Sequence, residues 1–126
     1  MRILIVRHAE AAPGEPDELR PLTPVGRKQA RELGRRLRAA GFAPDTVVTS
    51  PLLRARETAA ALALGEPAVD ERLAPGASPE DVRDAASGRG DTVLVVGHQP
   101  DCSQAVLELA GVEARFPPAG SYELEL

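Results

Sequence analysis

Two stretches of the chain are apolar at nearly every position. "RILIV" (residues 2–6) is a continuous aliphatic run, and "DTVLVV" (91–96) is a second of the same kind. A strand with one wet face alternates polar and apolar residues, so an unbroken run predicts a parallel strand covered on both faces. "DTVVTS" (45–50) reads as a shorter strand and "PAVDERL" (67–73) as a weaker third. The closing "SYELEL" (121–126) does alternate, which predicts an edge strand with one wetter face.

Between these runs the period changes to that of a helix. Thr23-Pro24 supplies an N-cap and a proline at the first helical position. Ala30, Leu33, Leu37 and Ala40 then recur at helical spacing, and Gly41 is placed to end the helix. Ser50-Pro51 repeats the cap-plus-proline signal before "LLRARETAAALAL". A short helix near Glu80 to Ala86 follows the loop "APGASP", and Asp101 to Ala110 forms another, closed by Gly111. "EAAPGEPDELRPL", with three prolines and a glycine, reads as a loop. Strands alternating with helices predict an α/β fold, a three-layer sandwich whose mainly parallel sheet is flanked by helices. At 126 residues the chain is expected to form one domain, 1–126, with no insertion to cap a pocket.

Composition narrows the function classes. Aromatic residues are 2% of the chain, too few for a base-stacking platform, and the formal charge of −4 has the wrong sign for holding a polyanion. No nucleic-acid partner is expected. The apolar start is too short for a signal peptide and no run approaches a membrane span, so a soluble cytoplasmic protein is expected. The single cysteine, Cys102, excludes an intrachain disulfide and fits a reducing compartment. At the start of a helix, Cys102 reads as a small buried residue.

The candidate chemistry sits where strands end. Arg7-His8 follows the first strand, Arg54 falls in the first turn after "TSP", and Gly97-His98 follows the fourth strand. In open parallel sheets ligands bind at the carboxyl ends of strands, near helix N-termini. Each residue alone has a structural reading: His8 as a satisfied loop residue, Arg54 as a partner of Glu57 or Thr58, Gly97 as a turn, Thr23 as an N-cap. Together they describe a cationic pocket in an acidic protein. Guanidinium forks match phosphate oxygens, and a neutral imidazole nitrogen can attack phosphorus. Two arginines beside the histidines disfavour a metal ion there, and no cofactor is expected. The basic residues of the first helix, Arg27, Lys28, Arg31, Arg35, Arg36 and Arg38, read as a solvated face, with a docking surface for an acidic or phosphorylated protein as the alternative.

"LIVRHAEA", "RPLTPVGRKQA", "VVTSPLLRARETA" and "VLVVGHQP" resemble, in order, the signature blocks of the histidine phosphatase superfamily, the phosphoglycerate mutase-like fold. The short length, Glu10 and "RPLT" are most similar to the small SixA-type phosphohistidine phosphatases. The resemblance implies that His8 is the nucleophile that becomes phosphorylated and that Arg7, Arg54 and His98 complete the phosphate pocket. It also implies that Arg20, with Thr23 beside it, helps hold the substrate phosphate. Two positions depart from the pattern: Ala9 stands where glycine is usual, and Pro75 stands where many members carry a glutamate that protonates the leaving oxygen. Glu71 is out of register.

A missing general acid slows phosphomonoester hydrolysis by about 10²–10⁴-fold. A phosphohistidine P–N bond is less affected, so a phosphohistidine-bearing protein is the expected substrate and a monomer the expected state. Glu10, Asp17, Glu18 and Asp101 are candidate substitute acids or bases, with Asp17 and Glu18 foremost because their Pro/Gly loop could swing them toward the pocket. The rival readings are a small-molecule phosphomonoesterase and a phosphoprotein-binding module with weak catalysis.

Overall fold

The computed structural model describes residues 1–126. Five strands, β1 (Arg2–Arg7), β2 (Thr46–Thr49), β3 (Pro67–Val69), β4 (Thr92–Gly97) and β5 (Ser121–Glu125), form one sheet in the order β3-β2-β4-β1-β5. The first four are parallel, and β5 runs antiparallel along β1 at one edge. Four helices connect them: α1 (Pro24–Ala39), α2 (Leu53–Leu62), α3 (Pro79–Ala86) and α4 (Asp101–Ala110).

The unbroken aliphatic runs are explained by two separate cores. Leu4, Val6, Val47, Leu94 and Val96 point to one face and pack with Leu33 of α1 and Ala55, Ala59 and Leu62 of α2. Ile3, Ile5, Val48, Val93 and Val95 point to the other, against Val82, Ala85 and Ala86 of α3 and Cys102, Ala105 and Val106 of α4. Successive side chains of a strand alternate faces, so a strand between two helical layers must be apolar throughout. β5 buries Leu124 against the second core and leaves Ser121, Glu123 and Glu125 exposed, the wetter face its alternation predicts.

Three local expectations are corrected. "PAVDERL" is a strand only over Pro67–Val69; the Asp70 carboxylate accepts from the Arg72 N–H and turns Glu71–Leu73 into a single 3₁₀ turn, which buries Leu73. Ser50 does not cap α2. The helix starts at Leu53 after an uncapped Leu52, and it ends at Leu62 because Ala63 adopts a left-handed conformation. The proline-rich loop is more ordered than its composition suggests: it holds a 3₁₀ turn at Asp17–Leu19 and a bridge between Ala11 and Leu22. The expected Thr23 cap forms, its hydroxyl accepting from the Gly26 N–H, and on α3 Ser78 and Asp81 close a capping box not expected from the sequence.

Two glycines of α1 bring its backbone unusually close to its neighbours. A Cβ at Gly26 would lie 2.0 Å from the Glu10 carbonyl oxygen, and one at Gly34 would lie 2.2 Å from that of Leu62. These contacts seat α1 against the loop after β1 and against the end of α2. In an unconstrained helix interior Gly→Ala stabilises by about 1 kcal/mol. Gly34→Ala is expected to have the opposite sign, a loss of about 1–3 kcal/mol from forcing α1 and α2 apart. A lowered urea midpoint at unchanged slope checks this; an unchanged or raised midpoint contradicts it.

Candidate active site

β1 and β4 lie side by side with Arg7 opposite Gly97, so the next residue of each strand, His8 and His98, leaves the sheet at the same place. The His8 N–H donates to the Gly97 carbonyl at 3.0 Å, and the two imidazole centroids are 5.2 Å apart at a 59° tilt. β2 ends on the other side of β4. There the Ser50 N–H donates to the Val96 carbonyl at 3.0 Å, and Ser50 Oγ lies 2.7 Å from His98 Nε2. The connections from β1 and β4 depart over opposite faces of the sheet, which opens a crevice above the strand ends.

His8 is held in one tautomer. Its Nδ1 is 2.7 Å from the Ala9 carbonyl, which can only accept, so Nδ1 carries the proton and Nε2 presents a lone pair. Burial lowers the His8 pKa to about 4; the Ala9 hydrogen bond opposes that shift, and the positive charges of Arg54, Arg7 and Arg20 reinforce it. His98 is 3% exposed, and burial, with His8 and Arg54 beside it, lowers its pKa to about 3. Both rings are neutral at physiological pH.

Three arginines converge on the histidines. Arg7 Nη1 donates to the Phe116 carbonyl at 2.9 Å. Arg54, on the first turn of α2 and 7% exposed, donates from Nη1 to the Asp17 carbonyl at 2.9 Å and from Nη2 to Asp17 Oδ2 at 3.3 Å. Arg20 donates from Nε to the Ala12 carbonyl at 2.8 Å and from Nη1 to Asp17 Oδ1 at 3.0 Å. The exposed Asp17 carboxylate thus bridges two guanidinium groups, and the Arg20 hydrogen bond, with Arg54, holds it below the usual carboxylate range. That is the wrong direction for a proton donor, and the contacts tether Asp17 instead of leaving it on a swinging loop.

The Thr58 hydroxyl fastens this arrangement. It accepts from the Ala9 N–H at 3.0 Å and donates to the Arg54 carbonyl at 2.8 Å, tying the His8 loop to α2. The molecule has two buried side-chain polar atoms without a partner, Arg7 Nε and His98 Nδ1, and both belong to this cluster. Buried polar groups are nearly always paired, and beside three guanidiniums an anion with several acceptor oxygens suits Arg7 Nε, and suits His98 Nδ1 in the tautomer in which the Ser50 hydroxyl donates to Nε2.

The remaining expected residues fall elsewhere. Thr23 Oγ1 donates to Glu10 Oε2 at 2.6 Å and accepts from Gly26 N–H at 2.9 Å, so both side chains are engaged at the start of α1, with no hydrogen bond to the cluster. Glu18 is exposed and forms no ion pair. Buried Asp101 accepts from the Gly76 and Ala77 N–H groups at 2.9 and 3.2 Å, and burial raises its pKa. It pins the segment containing Pro75 to the start of α4, and that segment presents no carboxylate of its own. Cys102 is buried and its thiol is pushed up to about 12 by burial, as its structural reading requires. Nowhere do three or more His, Cys, Asp or Glu side chains gather as metal ligands would. From the sequence Ser50 reads only as a cap and Thr58 only as a partner of Arg54, and the Phe116 carbonyl is not singled out; the contacts these make to His98, Ala9 and Arg7 span 48, 49 and 109 residues, which no local pattern signals.

Comparison with known proteins agrees with this geometry. The histidine phosphatase superfamily (branch 1) matches residues 3–76, a span containing Arg7, His8, Arg20 and Arg54. An uncharacterized protein of Mycobacterium tuberculosis is 38% identical over 112 residues, 85% of this chain and 71% of its own length. The mitochondrial serine/threonine-protein phosphatase Pgam5 of Drosophila pseudoobscura pseudoobscura is 35% identical over 116 residues, 90% of this chain and 38% of its own. Among solved structures, the protein histidine phosphatase SixA complexed with tungstate aligns with a TM-score of 0.89 at 25% identity, over 100% of this chain and 88% of that one. With matching sequence blocks, the same sheet and two histidines set among arginines at its strand ends, the chain belongs to the histidine phosphatase superfamily and is an enzyme of that type.

Proposed function

We propose that the enzyme removes phosphate from phosphohistidine on a protein partner, through a covalent intermediate on His8. The observation that carries this reading is the neutral His8 ring, its Nδ1 proton committed to the Ala9 carbonyl and its Nε2 lone pair free among three guanidiniums. In the first step Nε2 attacks the phosphoryl phosphorus and the substrate P–N bond breaks. The substrate imidazole, protonated on its other nitrogen, leaves neutral. In the second step water adds to phosphorus, the P–Nε2 bond breaks, and inorganic phosphate departs as His8 regains its neutral form. Arg7, Arg54 and Arg20 offset the negative charge that spreads over the equatorial oxygens.

Choice of a P–N bond is supported by the absence of a placed acid. Pro75 occupies the acid's register, Glu10 is tied to Thr23, and Asp17 is held ionised by its arginines. An alkoxide leaving group therefore has no donor, whereas imidazole needs none at that moment. The elements are joined without a capping insertion, which suits a phosphorylated side chain displayed on a protein surface. The likeness to SixA, solved with the tetrahedral oxyanion tungstate, supports the same substrate class.

Three outcomes are expected. First, kcat/KM on a phosphohistidine peptide should exceed that on an alkyl phosphomonoester by at least about 10²-fold, the span a general acid contributes; comparable rates would direct the search to small-molecule esters. Second, His8→Ala should lose at least about 10³-fold in kcat and trap no radiolabelled phosphoenzyme, and Arg54→Ala should lose about 10²–10³-fold. Full phosphoenzyme formation by His8→Ala would remove His8 from the nucleophile's role.

Third, the histidines set an acid limit on stability. Both folded-state pKa values lie below the ordinary 6.5, so the unfolded chain takes up protons first as pH falls. Their contribution is complete above about 6.5 and is lost progressively down to about 4 for His8 and about 3 for His98. Histidine NMR titration in phosphate-free buffer should place the His8 midpoint near 4; a midpoint at 6 or above would contradict the buried, neutral nucleophile.

A further inference from the structure

We propose that a groove beside the active site docks an acidic segment of the phosphorylated protein, adjoining the residue whose phosphate enters the pocket. The inference rests on the phosphoprotein reading above and adds the chemistry of the partner's flanking sequence. The groove has a volume of about 400 Å³ and runs between α1 and residues 117–120. Its α1 wall is formed by Val25, Lys28, Gln29, Glu32 and Arg36.

The groove lies next to the catalytic segment. Its far wall is hydrogen bonded to the nucleophile strand, Ala119 N–H to the His8 carbonyl at 3.2 Å and Arg7 N–H to the Gly120 carbonyl at 2.9 Å. On the near wall Gln29 Oε1 accepts from the Glu10 N–H at 2.9 Å. In the proposed complex the residues flanking the phosphorylated side chain lie along this channel, which adjoins the backbone of His8 and Glu10.

Its charge selects the occupant. In a chain of formal charge −4, α1 carries six basic residues against one carboxylate, Glu32. Three of the six are already engaged: Arg27 pairs with Glu57, Arg35 pairs with Glu32, and Arg38 donates to the Leu62 and Ala63 carbonyls, while Arg31 lies outside the groove. Lys28 and Arg36 are exposed, form no ion pair, and both line the groove. Eight positions apart, they are separated by roughly 12 Å along the helix axis, the reach of about four extended residues. The opposite wall, Pro117 to Gly120, has no charged side chain to neutralise them. Two unpaired cations, with Glu32 between them held by Arg35, face an uncharged wall and complement a segment with carboxylates at that spacing.

The test compares phosphohistidine peptides that share one phosphorylated core and carry either Asp/Glu or Asn/Gln flanks, a matching phosphoserine pair, and an aryl phosphate too small to reach the groove. The wild type is expected to show a KM about tenfold lower for the acidic flank. Lys28→Glu/Arg36→Glu should abolish that preference while leaving kcat and the aryl phosphate rate unchanged. Arg31→Glu/Arg35→Glu, the same charge change outside the groove, should preserve the preference to within about twofold. Equal KM values for the two flanks, or equal losses from both double variants, would overturn the docking site. Phosphohistidine turnover without flank dependence sinks the groove alone. A groove-dependent acidic preference seen only with phosphoserine sinks the phosphohistidine reading alone. Self-association removed by Lys28→Glu/Arg36→Glu would assign the groove to a second copy of the chain, and turnover of no peptide beside normal aryl phosphate hydrolysis would overturn both readings.

Discussion

The parallel pairing of β1 with β4 is the constraint from which the rest of the molecule follows. It sets Arg7 opposite Gly97, and through that register it delivers the two histidines of the chain to one point from positions 90 residues apart. The pairing is secured on both sides of the sheet at once, since Ile3 and Val93 face one helical layer while Leu4 and Leu94 face the other. A slip of one residue would turn every side chain of the strand to the opposite core and separate the histidines together. Folding stability and site geometry are thus enforced by the same interdigitation.

On that frame the site resolves a conflict between charge and nucleophilicity. Cations are needed to receive a phosphoryl group, yet an imidazolium cannot attack phosphorus. Burial at the strand ends and the fields of the arginines both disfavour a proton on His8, so in the proposed reaction the same arginines that draw in the substrate keep the proposed attacker unprotonated. Asp17 moderates the crowding of positive charge from the exposed side, where its carboxylate costs little to keep ionised.

What could be read from the sequence followed the range of the interactions. Continuous aliphatic runs identified β1 and β4, and the Thr23-Pro24 cap identified α1, because strand burial and capping are expressed within a few residues. Arg7, His8, Arg54 and His98 were legible because each lies within a few residues of a strand end, and the structure brings them together. Residues that act across the fold were not. Ser50 looked like a helix cap, but its hydroxyl meets His98; Asp17 looked like a free loop acid, but Arg20 and Arg54 claim it. "PAVDERL" has a strand's composition, and only the Asp70 side chain bonded to the Arg72 N–H ends it early. The glycines of α1 carried no visible reason in the sequence, since the backbone they admit belongs to distant segments.

The crowding of three guanidiniums and two imidazoles around one hollow also bears on the folding equilibrium. Mutual repulsion among like charges is present only when the chain is folded, and one exposed carboxylate offsets only part of it. A dianion that binds the folded chain and not the unfolded one relieves that repulsion and adds its binding free energy to the stability of the native state. Phosphate, the product of the proposed reaction, is the ion expected to act in this way. Substrate recognition and conformational stability are therefore thermodynamically linked here: the affinity of the pocket for phosphate is also a measure of how far inorganic phosphate in the surroundings supports the fold.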